Sequence, residues 1–257
     1  NKGWMVIKID LEKAYDRLNW SFILDTLTYI GLPQNFVDLV WACISTPLSH
    51  VLWNGEALQE FHPSQGIRQG DPLSPYFYVL CMERLFHIIE VVVSQKLWKP
   101  ISLSKQGLSL SHLTFVDDLI LFSKASLDQV EVIQSCLELF CKSLGQKVSL
   151  EKTRIFFSKN VDLEFFAGIL NYRIMQLLFY YLGLPVRVSA RSERVWQPIL
   201  EKMKAKLNNW RQKNLSVGER ICLIKSTLSF IPLFFLSFFR LPKKVYHAIQ
   251  KLRRRFL

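Results

Sequence analysis

Three aspartates stand at the ends of short apolar segments, where carboxylates can do chemistry. Asp10 directly follows a β-branched run, and Asp117 and Asp118 separate the apolar runs 112–116 and 119–122. Strand ends and tight turns can converge on one edge of a sheet, and carboxylates clustered among apolar strands need a positive partner. Oxygen ligands suit Mg²⁺, and two such ions roughly 3.5–4 Å apart serve phosphoryl transfer. The simpler alternative is that the Asp pair only satisfies turn hydrogen bonds.

A glycine-containing loop between residues 64 and 75 is the second candidate for chemistry. Gly66 and Gly70 flank Arg68 and Gln69, and the loop leads into the start of a helix. Glycine lets a backbone come close to a ligand, and a helix N-terminus favours a phosphate. The loop alone is weak evidence, but together with the aspartates it indicates a site for a nucleotide or a template strand.

These residues must be positioned by a fold that mixes strands and helices, so we expect the α+β class. The apolar runs on both sides of Asp117 and Asp118 predict a hairpin with the two carboxylates at its tip. Asn54-Gly55 predicts a second hairpin, with a type I′ turn and a return strand that reaches Phe61. The other predicted elements are strands at 5–9 and 153–157 and helices at 20–30, 35–44, 72–93 and 126–145, with Asn19 or Ser21 capping the first and Gly145 ending the last.

The charge of the chain is concentrated near its C-terminal end. Residues 187–257 contain 17 basic and 3 acidic residues, whereas residues 1–186 contain 16 basic and 18 acidic residues. Clustered Lys and Arg release counterions from a phosphate backbone, so this asymmetry indicates a polyanion partner. A solvated helical face is the alternative. The pattern after residue 187 predicts only helices, at 189–210, 216–230 and 242–257, so we expect a domain boundary there.

No membrane partner is expected from the sequence. The longest apolar stretch, residues 228–239, is shorter than the roughly twenty residues that a spanning helix needs, and Pro232 interrupts it. The first residues show no basic and apolar leader. We therefore expect an intracellular protein, nuclear or cytoplasmic and not secreted.

Taken together, these motifs resemble those of reverse transcriptases. The resemblance is closest to non-LTR retrotransposons of the long interspersed element type, particularly the plant form, and it extends over nearly the whole chain. The segments that carry it, in order, are Ile7-Lys8-Ile9-Asp10-Leu11-Glu12-Lys13-Ala14-Tyr15-Asp16, Gly66-Ile67-Arg68-Gln69-Gly70-Asp71-Pro72-Leu73-Ser74-Pro75, Phe115-Val116-Asp117-Asp118, Leu150-Glu151-Lys152-Thr153 and Tyr181-Leu182-Gly183-Leu184-Pro185.

The resemblance implies a right-hand polymerase whose sheet is antiparallel-rich and backed by helices. Residues 1–186 would form the palm and residues 187–257 a basic helical thumb or connection region. Since the chain starts at the first catalytic strand, the fingers are expected to be largely missing. The implied activity is RNA-directed DNA polymerase, a nucleotidyltransferase that uses an RNA template, a DNA primer and deoxynucleoside triphosphates.

The resemblance also assigns roles to single residues. Asp10, Asp117 and Asp118 would be the catalytic carboxylates and would bind two Mg²⁺ ions, for which Mn²⁺ can substitute. Tyr15 would lie beneath the incoming sugar and exclude a 2′-hydroxyl, although a core aromatic is the alternative for this residue.

Nucleotide and primer contacts are implied in the same way. Gln69 and Gly70 would contact the incoming nucleotide or the template. Lys152 would lie near the departing pyrophosphate as a general acid, with a solvated loop end as its alternative. Residues 181–183, which are Tyr181, Leu182 and Gly183, match the hairpin that holds the primer end. Val116 departs from the family, because Ala is usual before the Asp pair.

Two other classes of function remain open. A catalytically inactive, retrotransposon-derived nucleic-acid-binding module would keep the palm and thumb without turnover. A two-metal nuclease would share the carboxylates but would leave the Gln-Gly loop and Tyr15 unexplained.

Overall fold

The chain divides into two compact units, Asn1–Gln176 and Leu177–Leu257. The boundary between the units comes earlier in the chain than the boundary near residue 187 that the charge pattern indicated. The division does not test the palm and thumb assignments, which remain predictions about function. The computed structural model describes residues 3–102, 104, 107–158, 160–161, 173–174, 179–186, 192–211 and 215–257.

Both units have well-defined strands and helices. The strands are β1 (Trp4–Ile9), β2 (Leu52–Trp53), β3 (Glu56–Ala57), β4 (Ile101–Ser102), β5 (Ser109–Leu110), β6 (His112–Phe115), β7 (Asp118–Lys124), β8 (Arg154–Phe157), β9 (Arg173–Ile174), β10 (Phe179–Tyr181) and β11 (Leu184–Val186). The α-helices are α1 (Trp20–Tyr29), α2 (Gln34–Ser45), α3 (Ser74–Ser94), α4 (Leu127–Leu144), α5 (Gln197–Arg211), α6 (Val217–Leu223), α7 (Leu233–Leu236) and α8 (Lys243–Phe256).

The first unit is built on a five-stranded sheet in the order β6-β7-β1-β8-β9. Its pairs are antiparallel except β8 with β9. Strand β1 lies in the middle because its apolar residues can be buried on both faces. Ile7 and Ile9 belong to the core that the helices cover, whereas Val6 is buried on the opposite face. The expected antiparallel-rich α+β sheet is confirmed.

Helices α1, α3 and α4 contribute buried residues to the same core as the sheet, as predicted. The side chain of Asn19 caps α1 by accepting a hydrogen bond from the Ser21 backbone N–H. Gly145 ends α4 in the left-handed conformation, which favours glycine because it has no Cβ. The start signal of α1 and the stop signal of α4 therefore act as the sequence indicates, whereas the Ser126 side chain makes no capping hydrogen bond at the start of α4.

The hairpin of β2 and β3 turns through Asn54 and Gly55, which both have positive φ. This agrees with the predicted type I′ turn. The predicted extension to Phe61 is wrong, because β3 ends at Ala57 and Phe61 forms only an isolated bridge with Ser49.

The hairpin of β6 and β7 corrects the position of one carboxylate. Its turn residues are Val116 and Asp117, and Asp118 is the first residue of β7, paired with Phe115. The expectation that both carboxylates stand at the tip is therefore wrong for Asp118. The pairing of Ile9 with Leu119 puts Asp10 and Asp118, the next residues outward, at matching ends of neighbouring strands.

The second unit consists of the β10–β11 hairpin followed by helices. After residue 191 every described element is helical, as expected, although Glu193–Trp196 is a 3₁₀ turn and Ile224–Leu228 a π-helical turn. The start of the predicted helix at 189–210 lies outside the described residues. This unit has its own core, which includes Trp196, Met203, Leu207, Leu228, Phe235, Val245 and Ile249. Among the described residues, no helix has the length and apolar character needed to cross a bilayer.

Candidate active site

Asp10 is fixed by the segment that follows α4. Its backbone N–H donates to the Thr153 hydroxyl at 3.3 Å, and its carbonyl accepts from the Ser149 N–H at 2.8 Å. Thr153 and Ser149 are both buried, so these bonds hold the backbone while the partly exposed carboxylate stays available. The end of β1 is thus anchored on the side of β8.

Two lysines neutralise two of the carboxylates. The Lys8 ammonium lies 2.9 Å from an oxygen of Asp118, and the Lys152 ammonium lies 3.7 Å from an oxygen of Asp10. All four side chains are partly exposed to solvent, so each pair contributes little to stability. Each contact sets one positive charge against one negative charge, so Asp10 and Asp118 are locally neutralised.

Asp117 stands on the turn, exposed to solvent, after a strained residue. Val116 has a φ of 54°, which is unusual for a β-branched side chain. The charge of Asp117 reaches Tyr15 and Tyr78. Burial is the main cause that raises the pKa of both tyrosines, and the negative charge of Asp117 raises it further. The negative charge of Asp117 is therefore near enough to both tyrosines to disfavour their ionisation.

Tyr15 and Tyr78 form a stacked pair. Their ring centroids are 5.1 Å apart and their planes differ by 10°. Tyr78 is fully buried in α3, and its hydroxyl has no hydrogen-bond partner among the described residues. Tyr15 is only partly buried, so one side of its ring is supported by Tyr78 and the rest can meet a ligand.

The glycine-containing loop is bound to the segment that follows Asp10. The N–H of Gly66 donates to the Leu18 carbonyl at 2.7 Å, and the N–H of Ile67 donates to the Tyr15 carbonyl at 2.9 Å. Gly66 has a φ of +85°, and a Cβ there would lie 2.6 Å from the Asp16 carbonyl oxygen. Only glycine allows this approach, and it brings the loop next to Tyr15.

Gln69 and Gly70 lie on the exposed part of the same loop. The Gln69 amide donates to a carboxylate oxygen of Asp16 at 3.4 Å. Gly70 has a φ of +94°, and no described atom lies within 4 Å of the position of a Cβ. The loop therefore presents an amide and an open backbone beside the tyrosine pair.

The expected primer-contacting residues belong to the second unit. Tyr181 pairs with Leu184 in the β10–β11 hairpin, and Leu182 and Gly183 form its turn with φ values of 50° and 78°. The hairpin expected from the sequence is present, and its contact with a primer remains a prediction.

The donor set of the first unit fits a hard cation. Carboxylate oxygens are the ligands that Mg²⁺ prefers, and Lys8 and Lys152 show that positive charge is attracted to them. Among the described residues, however, no group of three or more His, Cys, Asp and Glu side chains is gathered closely enough to hold a metal ion. Each lysine approaches only one oxygen of its carboxylate, so Asp118 and Asp10 each keep a second oxygen for a cation.

Three residues near the site were not among the predicted site residues. Lys8 could have been found from the two-residue period of a strand, which puts it on the same face as Asp10. Asp16 adjoins Tyr15, but nothing local indicates its bond to Gln69. Tyr78 lies in a largely apolar helix, and no sequence signal connects it with Tyr15.

Comparison with known proteins identifies the family of the chain. Residues 1–186 match the family described as reverse transcriptase (RNA-dependent DNA polymerase). The chain therefore belongs to the reverse transcriptase family.

Two of the relatives are proteins of transposable elements. The chain is 30% identical over 147 residues to the retrovirus-related Pol polyprotein from type-2 retrotransposable element R2DM of Drosophila melanogaster, a match covering 57% of this chain and 13% of that protein. It is 23% identical over 231 residues to the transposon TX1 uncharacterized 149 kDa protein of Xenopus laevis, covering 87% of this chain and 17% of that protein. The resemblance to non-LTR elements is confirmed, and the chain spans less than a fifth of either relative.

A solved structure shares the fold. Telomerase from Candida albicans, in complex with a TWJ fragment of telomeric RNA, superposes with a TM-score of 0.60 at 11% identity, covering 98% of this chain and 47% of that one. The expected polymerase-like fold is thus confirmed at the level of architecture.

Proposed function

We propose that this chain is the palm and thumb of an RNA-directed DNA polymerase, which adds deoxynucleotides to a primer 3′ end on an RNA template. One observation carries the proposal: β1 and β7 pair so that Asp10 and Asp118 end neighbouring strands, with Asp117 on the adjoining turn. Family membership over residues 1–186 supports the polymerase class.

The chemistry we propose depends on Asp10, Asp117 and Asp118, which would hold two Mg²⁺ ions, or Mn²⁺ in their place. When bound, such ions lower the pKa of an attacking hydroxyl and stabilise the leaving oxygen in phosphoryl transfer. These carboxylates would present their oxygens at the edge of the sheet. The backbone hydrogen bonds of Asp10 hold the end of β1 in place there.

The neighbouring residues would position the deoxynucleoside triphosphate. Tyr15, supported by the Tyr78 ring, would lie beneath the sugar and exclude a 2′-hydroxyl. Gln69 and Gly70 would contact the nucleotide or the template. The 3.7 Å contact between Lys152 and Asp10 keeps an ammonium group beside the carboxylates, where it could donate a proton to the leaving pyrophosphate.

The second unit would hold the nucleic acid. Residues 187–257, with 17 basic and 3 acidic residues, suit the phosphates of a primer-template duplex. The hairpin of Tyr181, Leu182 and Gly183 would support the primer end. The site of this activity would be the nucleus or cytoplasm.

Primer extension tests the proposal. The chain should be assayed alone and joined to the fingers segment of a family member, with an RNA template and a DNA primer. We expect Mg²⁺-dependent DNA synthesis by the fusion and little or none by the chain alone. Asp117→Ala should abolish synthesis by the fusion, whereas Asp25→Ala, which removes an exposed carboxylate of α1, should not. Undiminished synthesis by Asp117→Ala would show that the metal site lies elsewhere.

A second candidate is an inactive nucleic-acid-binding module derived from a retrotransposon. The ion pairs of Lys8 with Asp118 and Lys152 with Asp10 favour it, since both lysines compete with metal ions for these carboxylates. This candidate predicts salt-sensitive binding of primer-template duplex without synthesis by any fusion.

A further inference from the structure

The second unit exposes three phenylalanine rings at four-residue intervals. Phe230, Phe234 and Phe238 are exposed by 62%, 47% and 59%. Phe234 lies in α7, and Phe230 and Phe238 lie four residues before and after it in the adjoining turns. The rings of Phe234 and Phe238 meet edge to face with centroids 5.5 Å apart. We call these three residues the phenylalanine stripe.

The opposite face of the same segment supplies the packing. Phe235 is buried, with its ring 6.0 Å from that of Trp196 and 5.9 Å from that of Phe239. Phe239 is partly buried against the same core. The Phe235 ring also meets the half-exposed ring of Phe234 edge to face, with centroids 6.0 Å apart. The segment is thus anchored by Phe235 and Phe239, while the outer part of the stripe stays exposed, and an exposed apolar patch commonly marks an interaction site.

The stripe continues onto the β10–β11 hairpin. A Cβ on Gly183 would lie 3.8 Å from a ring carbon of Phe234, which is ordinary van der Waals distance. Leu182, beside it on the turn, is 40% exposed. The hairpin turn and the stripe therefore form one apolar surface.

Positive charge lies on both sides of the stripe along the chain. Lys225 precedes it and Arg240 follows it, and neither side chain is buried. Only three acidic residues occur between 187 and 257. Exposed aromatic rings between basic side chains are the combination that unpaired nucleic acid requires, because bases stack on the rings and phosphates pair with the cations.

We propose that the phenylalanine stripe stacks against the bases of an unpaired nucleic-acid strand, with Lys225 and Arg240 contacting its phosphates. Bases inside a duplex are already stacked and cannot reach the rings, so the stripe should favour single strands over duplexes. The inference does not depend on the polymerase proposal, because it needs no metal ion and no carboxylate.

Equilibrium binding by the full chain tests this inference. A labelled single strand of about 12 nucleotides and its duplex should be titrated by fluorescence anisotropy without Mg²⁺ or nucleotides. We expect Phe234→Ala to weaken single-strand binding about fivefold or more, the usual effect of removing one stacking ring. Duplex affinity should change less than about twofold, and the salt dependence should stay the same because the phosphate contacts remain.

Matched variants separate stacking from folding and charge. Phe234→Leu keeps an apolar side chain without a π face, so it should weaken single-strand binding nearly as much as Phe234→Ala. Val217→Ala, which trims another exposed apolar residue of the same unit, should have no effect. Lys225→Gln should lower the single-strand salt slope by about 0.7, the value for one phosphate contact.

Three outcomes would overturn the inference. If both Phe234 variants bind the single strand as tightly as the wild-type chain, Phe234 does not stack on its bases. If the affinities for single strand and duplex fall equally, the ring acts through the fold. Self-association of the wild-type chain that Phe234→Ala abolishes, with oligonucleotide binding unchanged, would make the stripe a protein interface. Primer extension tests the polymerase proposal and these titrations test the stripe, so the failure of one is distinguishable from the failure of the other.

Discussion

The ammonium nitrogen of Lys8 lies 2.9 Å from a carboxylate oxygen of Asp118. The contact follows from the strand register: Lys8 pairs with Ile120 in β7, and Asp118, two residues before Ile120, projects from the same face. Had Asp118 belonged to the turn, as the sequence indicated, this register would not have brought the two charges together. A cation beside a proposed metal ligand competes with the metal ion.

We expect Lys8→Met to strengthen Mn²⁺ binding roughly threefold to tenfold, because one nearby positive charge no longer opposes the ion. Electron paramagnetic resonance of free Mn²⁺ in titrations with the full chain measures the affinity. Lys147→Met is the matched control, since Lys147 forms a similar pair with Glu12 at 3.6 Å and should change nothing. Weaker Mn²⁺ binding by Lys8→Met would instead show that Lys8 holds Asp118 in place for the metal.

The position of Asp10 and the helices behind the sheet were predictable because local signals and burial agree. A β-branched run ends at Asp10, the helices have apolar residues at helical spacing, Asn19 caps α1 and Gly145 ends α4. Tertiary structure adds nothing that contradicts these signals, so the sequence alone was enough to predict this part of the fold.

The turn before Asp118 could not be predicted in the same way. Local preference excludes a β-branched residue from positive φ, yet Val116 adopts it. The pairing of β7 with both β1 and β6 fixes the register and outweighs the local cost, which is of the order of 1–3 kcal/mol. The contacts of Tyr15 with Tyr78 and of Asp16 with Gln69 likewise join segments whose approach no local pattern encodes.

The loop glycines should differ in their effect on stability. At Gly66 an alanine Cβ would meet the Asp16 carbonyl oxygen at 2.6 Å, whereas at Gly70 it would meet no described atom within 4 Å. Both substitutions strain a positive φ, at about 1 kcal/mol. We expect Gly66→Ala to lower the free energy of unfolding by about 2–4 kcal/mol and Gly70→Ala by about 1 kcal/mol. Urea denaturation measures both, and equal losses would contradict the close approach of the loop.

Tyr15 should control sugar selection in any active fusion. Replacing it by Ala removes the steric wall, and only the bulkier ribonucleotide gains from this. We expect the ratio of ribonucleotide to deoxyribonucleotide use to rise about tenfold, while Tyr15→Phe, which keeps the ring and its stacking on Tyr78, leaves it unchanged. Single-nucleotide insertion kinetics provide the ratio. If Tyr15→Ala does not alter it, Tyr15 has a packing role only.

Tyr78 should affect stability at alkaline pH. Burial, Asp117 and Tyr15 raise the pKa of Tyr78 above the ordinary value of 10.0, so folding favours its neutral form. This contribution is complete below pH 10 and is lost as the pH rises toward the folded-state pKa. We expect Tyr78→Phe to flatten the decline in the free energy of unfolding above about pH 10, measured by urea denaturation. Tyr76→Phe changes an exposed position in the same helix, so its free energy of unfolding should decline with pH like that of the wild-type chain.

The arginines at the end of α8 should divide into structural and phosphate-binding residues. The Arg253 guanidinium donates to the Ser229 hydroxyl at 3.0 Å and is partly buried, so a substitution there should lower stability. Arg254 is exposed. If the second unit binds duplex through phosphates, Arg254→Glu should reduce the slope of log affinity against log salt by about 0.9 for each phosphate that it no longer neutralises. Anisotropy titrations of a B-form duplex between about 50 and 200 mM salt measure this slope.

Lys142→Glu, on the exposed end of α4 in the first unit, makes the same change in net charge. It should leave the slope intact if duplex is bound by α8, because salt dependence counts the phosphates that are neutralised and not the total charge. If Lys142→Glu and Arg254→Glu reduce the slope of log affinity against log salt equally, the net charge of the chain governs binding. A slope unaffected by Arg254→Glu would exclude Arg254 from phosphate binding by the second unit. Melting of Arg253→Glu at an unchanged temperature would show that its bond to Ser229 has no structural importance, and Arg253 would then become a candidate for phosphate binding as well.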